Sequence, residues 1–172
     1  AFETLSNFRG VSISAINGYA MGGGLEVALA CDIRLVEDHA VMALPETSVG
    51  LLPCAGGTQN LALLVGEGWT KRMILCGERV DAVTALRIGL AEEVIAKGEG
   101  KSAAIALATK VAKQSPVAVA ACKSLIQKNR VMPIAQALPQ ERQAFVDLFD
   151  SLDQKEGVQA FLEKRKPLWL NK

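Results

Sequence analysis

Residues 18–32, GYAMGGGLEVALACD, place three consecutive glycines, Gly22, Gly23 and Gly24, at the head of an apolar helical run. Inside a helix glycine costs up to about 1 kcal/mol relative to alanine, so three of them at a helix start need a reason. Lacking a Cβ, they leave the unpaired N–H groups of the helix N-terminus bare, where the helix dipole favours negative charge. Two nucleotide-binding versions of this arrangement fail on spacing. The run reads G-x-x-x-G-G-G rather than G-x-G-x-x-G, with no acidic residue suitably placed after the next strand, and no Lys-Ser/Thr follows to make a P-loop. Two readings stay open. One is close strand–helix packing; the other is an oxyanion hole, in which a single donor is worth roughly 3–4 kcal/mol of transition-state stabilisation.

Two carboxylates accompany the glycines. Glu26 lies one helical turn after Gly23, among Leu25, Val27, Ala28 and Leu29, so it is desolvated unless something pairs with it. It serves either as a first-turn charge favoured by the dipole or as a group of chemical use at the same helix end. Glu46, after a strand and a proline, is the only acid between Asp38 and Glu67 and again has apolar neighbours. On its own it reads as an exposed loop carboxylate. With Glu26 it makes a candidate acid/base pair.

The rest of the composition narrows the classes. Across 172 residues, half are hydrophobic and 22% are charged, as in a globular domain rather than a disordered chain. With 19 basic and 18 acidic side chains, the net charge of +1 argues against nucleic acid or an acidic membrane surface as partner. The four cysteines are widely scattered, without a CxxC pair, and there is one histidine, so no metal site is expected. Free thiols fit a reducing compartment, cytosol or organelle matrix. Neither a signal peptide nor a bilayer-spanning run is visible.

The elements that must position these residues follow from pattern. VSISAING (11–18) reads as a buried strand, followed by a helix from about Gly23 to Cys31 and by strands at 32–37 and 40–44. Residues 45–59 form a long ordered loop, and the pattern to Gly89 is helical, interrupted at Gly66–Gly68 and around GERVD. A short strand at 91–96 precedes a composition shift at Lys97–Gly100. Beyond it the chain reads as helices at 101–114, 116–129, 133–150 and 155–165. The first residues are expected to lead almost immediately into strand. Two regions result, 1–97 carrying the candidate site and 98–172 a helical appendage.

Three stretches together, AINGYAMGGGLEVALACDIRLV, LPETSVGLLPCAGGTQNL and KRMILCGERVDAVTALRIGLAEEVI, resemble the crotonase superfamily and most closely its enoyl-CoA hydratases. The resemblance runs over essentially the whole chain, the closing AFLEKRKP included. It implies an α/β fold with part of the ββα spiral core, followed by a helical region that assembles subunits into trimers or hexamers. The implied substrate is an acyl-CoA thioester, with coenzyme A carried by the substrate and no separate cofactor, in thioester metabolism such as fatty-acid breakdown. The implied oxyanion donor is the Gly23 N–H, with Gly22 beside it at the substrate. Glu46 would deliver a proton to the α-carbon, while Glu26 holds and activates the water that attacks the β-carbon. Phe145 and Lys164 match positions that approach the adenine and phosphate end of coenzyme A. Keeping both acids favours hydration over isomerisation or hydrolysis. Against it stand an inactive fragment and a non-catalytic, RNA-binding member of the fold.

Two departures from the family pattern stand out. Cys54 occupies a place where hydratases often have glycine, and reads as a small buried residue rather than an activated thiol. The family's first strands and its A-x-A-G motif, which supplies the second oxyanion N–H, precede the point at which this sequence begins. On this reading, the 172 residues alone would leave strand edges unpaired and are not expected to work as an independent enzyme.

Overall fold

The computed structural model describes all residues, 1–172. Strands β1 (Ile13–Ile16) and β2 (Tyr19–Met21) are separated by Asn17 and Gly18 only, yet they enter different sheets. Helix α2 (Gly23–Ala30) then crosses back, and β3 (Ile33–Glu37) and β4 (Val41–Ala43) repeat the division. In the first sheet β3 pairs in parallel with β1, Ile13 opposite Ile33, and with β6 (Glu93–Ile95), Leu35 opposite Glu93. In the second, β4 pairs in parallel with β2, Tyr19 opposite Val41, and antiparallel with β5 (Val80–Asp81). Each ββα turn of the chain therefore adds one strand to each sheet, the helix being the crossover that parallel pairing requires.

The shared core explains the apolar spacing. Leu25, Ala28 and Leu29 of α2 are buried with Val36, Met42, Leu44, Leu61, Met73 and Val80. Each fully buried leucine contributes about 1.5–3 kcal/mol relative to an exposed one. Central strand β3 is buried from Arg34 to Glu37, so its two charges need partners. The Arg34 guanidinium donates to the Leu90 and Cys31 carbonyls, both at 2.9 Å, and pairs with Glu92. Glu37 accepts the N–H groups of Gly98 at 2.9 Å and Gly100 at 3.0 Å, at the start of α5 (Gly100–Val111). Those two amides hold its carboxyl below the usual carboxylate range, against the opposing effect of desolvation.

Two expectations are corrected here. The first residues do not lead straight into strand: Phe2–Ser6 form a short helix, α1, with no buried residue and hence no apolar period to betray it. Strand β2 lies between the expected strand at 11–18 and the expected helix from Gly23, where no element was expected, since its three residues bury a single side chain, Ala20. The interruption expected at Gly66–Gly68 is a kink inside a longer helix, α3 (Gly57–Leu75), with Gly66 at φ 75° and ψ 168°. Helix α4 (Ala82–Ile88) follows, capped by the Asp81 carboxylate accepting from the Thr84 N–H.

Two compact units make up the chain, Ala1–Ala108 and Thr109–Lys172. The second contains α6 (Pro116–Lys128), α7 (Ile134–Leu148) and α8 (Leu152–Leu162). Its buried residues are Ala137, Asp153 and Ala160. Buried Asp153 accepts the Ser115 hydroxyl at 2.8 Å and the Leu170 and Asn171 N–H groups at 2.8 and 2.9 Å, joining the N-terminus of α6 and the C-terminal tail to α8. Burial works to raise its pKa, but the Ser115 hydroxyl and the backbone amides together outweigh it and hold the carboxyl below its ordinary value. By contrast the apolar side chains Phe145, Phe149, Phe161 and Leu162 are exposed.

Candidate active site

Gly22 makes the turn into α2. It adopts φ 55° and ψ −126°, a conformation that disfavours a side chain, and its N–H donates to the Ala43 carbonyl at the end of β4 at 3.0 Å. Its own carbonyl accepts the Leu25 and Glu26 N–H groups at 2.9 and 3.0 Å, so the first helical turn is closed on this residue. Gly23 and Gly24 are exposed, with nothing within 4 Å of where a Cβ would stand on either. Their N–H groups take no acceptor from the chain, and the positive end of the helix dipole opens outward between them.

Glu26 is 3% exposed and is paired after all. Its Oε1 accepts the Ala55 N–H at 2.7 Å and the Gly57 N–H at 2.9 Å, while no chain donor reaches Oε2. The loop delivering these amides must run tight against α2. It does so with small residues, Ala55-Gly56-Gly57, Gly56 turning through φ 92° and Gly57 opening α3.

Glu46 follows Pro45 and opens a 3-10 turn, Glu46–Val49. Its Oε1 would lie 3.2 Å from a Cβ on Gly22, so the carboxylate rests on the turn that starts α2. Its Oε2 is buried and has no hydrogen-bond partner. An unmatched buried acceptor costs about 1–3 kcal/mol, an expense proteins retain chiefly where the group has a task.

Thus Gly22, Gly23 and Glu26 share the first turn of one helix, and Glu46 rests against the residue that starts it. Bare amides able to meet a developing negative oxygen stand there beside two carboxylates able to move protons, the requirements of acid/base chemistry next to a carbonyl. The structure holds no group of three or more His, Cys, Asp or Glu side chains arranged for a metal ion. No helix is long and apolar enough to cross a membrane.

Phe145 and Lys164 belong to the second unit. The Phe145 ring, 63% exposed, packs edge-to-face on Phe149 with centroids 5.2 Å apart. Both rings line an apolar groove of about 340 Å³ with Leu148, Val158 and Trp169. Lys164 is exposed just beyond α8 at φ 53°. The adjacent Arg165 is engaged with Glu156 and Glu163, and pulls the Glu156 carboxyl down to about 2. Lys164 and Lys166 flank that arginine as exposed cations outside the cluster.

Cys54 is corrected from a buried filler to an exposed thiol. It lines a cleft of about 700 Å³ with Phe2, Glu3 and Ser6 of α1 and with Ala55, Gly56 and Asn60. Sequence reasoning missed that Ala55 and Gly57 are the partners of Glu26. The small residues of PCAGGTQ were the one signal of it, but glycine and alanine announce close approach without saying to what.

Known proteins match this chain over nearly its whole length. The profile of the family described as Enoyl-CoA hydratase/isomerase matches residues 1–172. The short-chain-enoyl-CoA hydratase of Clostridium acetobutylicum is 42% identical over 165 residues, 96% of this chain and 63% of that protein. Among solved structures, Pseudomonas aeruginosa DspI is 68% identical with a TM-score of 0.95, over 98% of this chain and 64% of its own. An enoyl-CoA hydratase from Bacillus anthracis is 37% identical with a TM-score of 0.95, over 99% of this chain and 66% of its own. The chain thus spans just under two thirds of the length of these relatives.

Proposed function

The chain belongs to the enoyl-CoA hydratase/isomerase family, the crotonase superfamily, and from that premise we infer that the protein adds water across the double bond of a 2-enoyl-CoA thioester. The observation that carries this reading is the end of α2, where the exposed Gly23 amide stands beside two carboxylates held in different ways.

In the proposed reaction the thioester oxygen sits at the Gly23 N–H and gains charge as the β-carbon is attacked, so the donor acts where the transition state differs from the ground state. Glu26, its Oε1 fixed by Ala55 and Gly57, holds a water through Oε2 and takes one of its protons as the oxygen bonds to the β-carbon. Glu46, protonated at this stage, gives its proton to the α-carbon. One water is consumed, the double bond becomes single, and a proton passing from Glu26 to Glu46 resets the pair. Gly22 lies beside the thioester as the turn that seats Glu46.

No cofactor is needed beyond the coenzyme A that the substrate carries. Phe145 and Lys164 are proposed to meet its adenine and phosphate end, an exposed ring and an exposed cation having suitable chemistry. The exposed apolar side chains of α7 and α8 favour assembly into a homotrimer or hexamer, in the bacterial cytosol or the mitochondrial matrix.

The test is hydration of crotonyl-CoA by the intact protein and by Glu26→Gln and Glu46→Gln separately. Each substitution is expected to lower kcat by about 10²–10⁴-fold without loss of folding, the range for a general acid or base. An isomerase would depend on one acid only, and a variant pair that both retain hydration would sink the reading.

A further inference from the structure

We propose that Gly57 is a positioning residue, whose missing side chain and N–H together set where the Glu26 carboxylate points. The proposal rests on the hydratase reading for its kinetic consequence, though not for its geometry.

Gly57 opens helix α3 without a positive φ, so its backbone is one that alanine adopts readily, and alanine is the better helix former. Backbone freedom is therefore not what glycine supplies here. Space is. A Cβ on Gly57 would stand 2.8 Å from the Pro53 Cβ, 2.9 Å from Glu26 Oε1 and 3.1 Å from Glu26 Cγ. The residue is buried between the two.

The neighbours differ in how they can yield. Pro53 is buried, and its Cβ belongs to a closed ring on the same tight loop. Glu26 presents the far end of a flexible side chain. A methyl group would meet the Pro53 Cβ whatever Glu26 does, so the loop itself must shift, and the Glu26 contact is relieved by pushing the carboxylate away; both movements part Oε1 from the Ala55 and Gly57 amides that hold it at 2.7 and 2.9 Å. Both bonds fall on Oε1, so they fix the rotation of the carboxylate and hence the direction of Oε2. A shift of about 1 Å at a reacting group costs on the order of 100-fold in rate.

The experiment is Gly57→Ala in the intact protein, alone and combined with Glu26→Gln. Alone it should lower kcat for crotonyl-CoA hydration roughly 100-fold with KM within about threefold, and lower the thermal midpoint as the buried carboxylate loses its two hydrogen bonds. In the Glu26→Gln background it should cost less than about threefold, because the group it displaces no longer works. Equal losses in both backgrounds, or none in either, overturn the proposal. A crystal structure of Gly57→Ala tests the geometry without turnover: Glu26 Oε1 is expected beyond hydrogen-bond distance of the Ala55 N–H, and a carboxylate still bonded there refutes the positioning role. Absence of hydration in the wild type would sink the functional reading alone, leaving the crystal structure to decide this one. Should Gly57→Ala fail to fold, adding Pro53→Gly, which removes the other close atom, should restore folding with kcat still lowered roughly 100-fold; failure to fold or wild-type kcat in that variant refutes the proposal.

Discussion

The Glu46 carboxylate rests against Gly22: Oε1 stands 3.2 Å from where a Cβ would project, and Gly22 itself turns through φ 55° and ψ −126°. The turn that starts α2 and the placement of the second acid are thus one feature. Gly22 closes the first helical turn through its carbonyl, leaves the Gly23 amide bare and provides the surface on which Glu46 sits.

Gly22→Ala should therefore do two things. The strained backbone is expected to cost about 1–3 kcal/mol of stability, measured by urea unfolding. The methyl should also press on Glu46 and lower hydration further than instability explains, visible under conditions where the variant is fully folded. Wild-type kcat in a folded variant would show that Glu46 does not depend on this contact.

Glu37 offers a pH test of the fold. Gly98 and then Gly100 hold its carboxyl below its ordinary value of 4.5, so the folded state binds this proton less tightly than the unfolded chain. Its contribution to stability is fully present above the unfolded value and is lost as pH falls through the folded one. Glu37→Gln should accordingly flatten the fall in urea midpoint between about pH 5 and pH 3, besides lowering stability at neutral pH. A midpoint that declines in parallel with the wild type across that range would remove Glu37 from the acid response.

Cys54 gives a chemical probe of the cleft beside the site. Its thiol is exposed, lines the cleft of about 700 Å³, and belongs to the residue before Ala55, whose N–H holds Glu26. With exposed Cys76 and Cys122 replaced by serine, iodoacetamide should modify Cys54 and lower kcat/KM by roughly tenfold or more, about 1.4 kcal/mol of transition-state binding. Cys54→Ala, which adds no bulk, should keep wild-type activity. Full activity after stoichiometric alkylation would mean that substrate does not use this cleft.

Much of the site is legible in the chain itself because it is local. A run of glycines before LEVALA dictates a helix N-terminus with bare amides, and Glu26 four residues after Gly22 must lie in its first turns. Pro45 and the polar turn after it likewise lead Glu46 into a loop rather than a strand. These follow from dihedral preference and helical spacing, which act over a few residues. The short elements α1 and β2 escaped notice for the same reason in reverse, burying no side chain and one respectively, and so carrying no period.

What the tertiary structure alone decided is who meets whom. The amides that hold Glu26 lie 29 and 31 residues further along the chain, and those that hold Glu37 lie 61 and 63 further. Whether a carboxylate is paired, as buried Glu26 is, or left with one buried oxygen unmatched, as half-buried Glu46 is, depends on where the chain returns after crossing the core. So does the fate of Cys54, exposed on a cleft because α1 lies across from it. Local preference specifies the helix end and the acids near it; only the packing of distant segments settles the direction in which each carboxylate points.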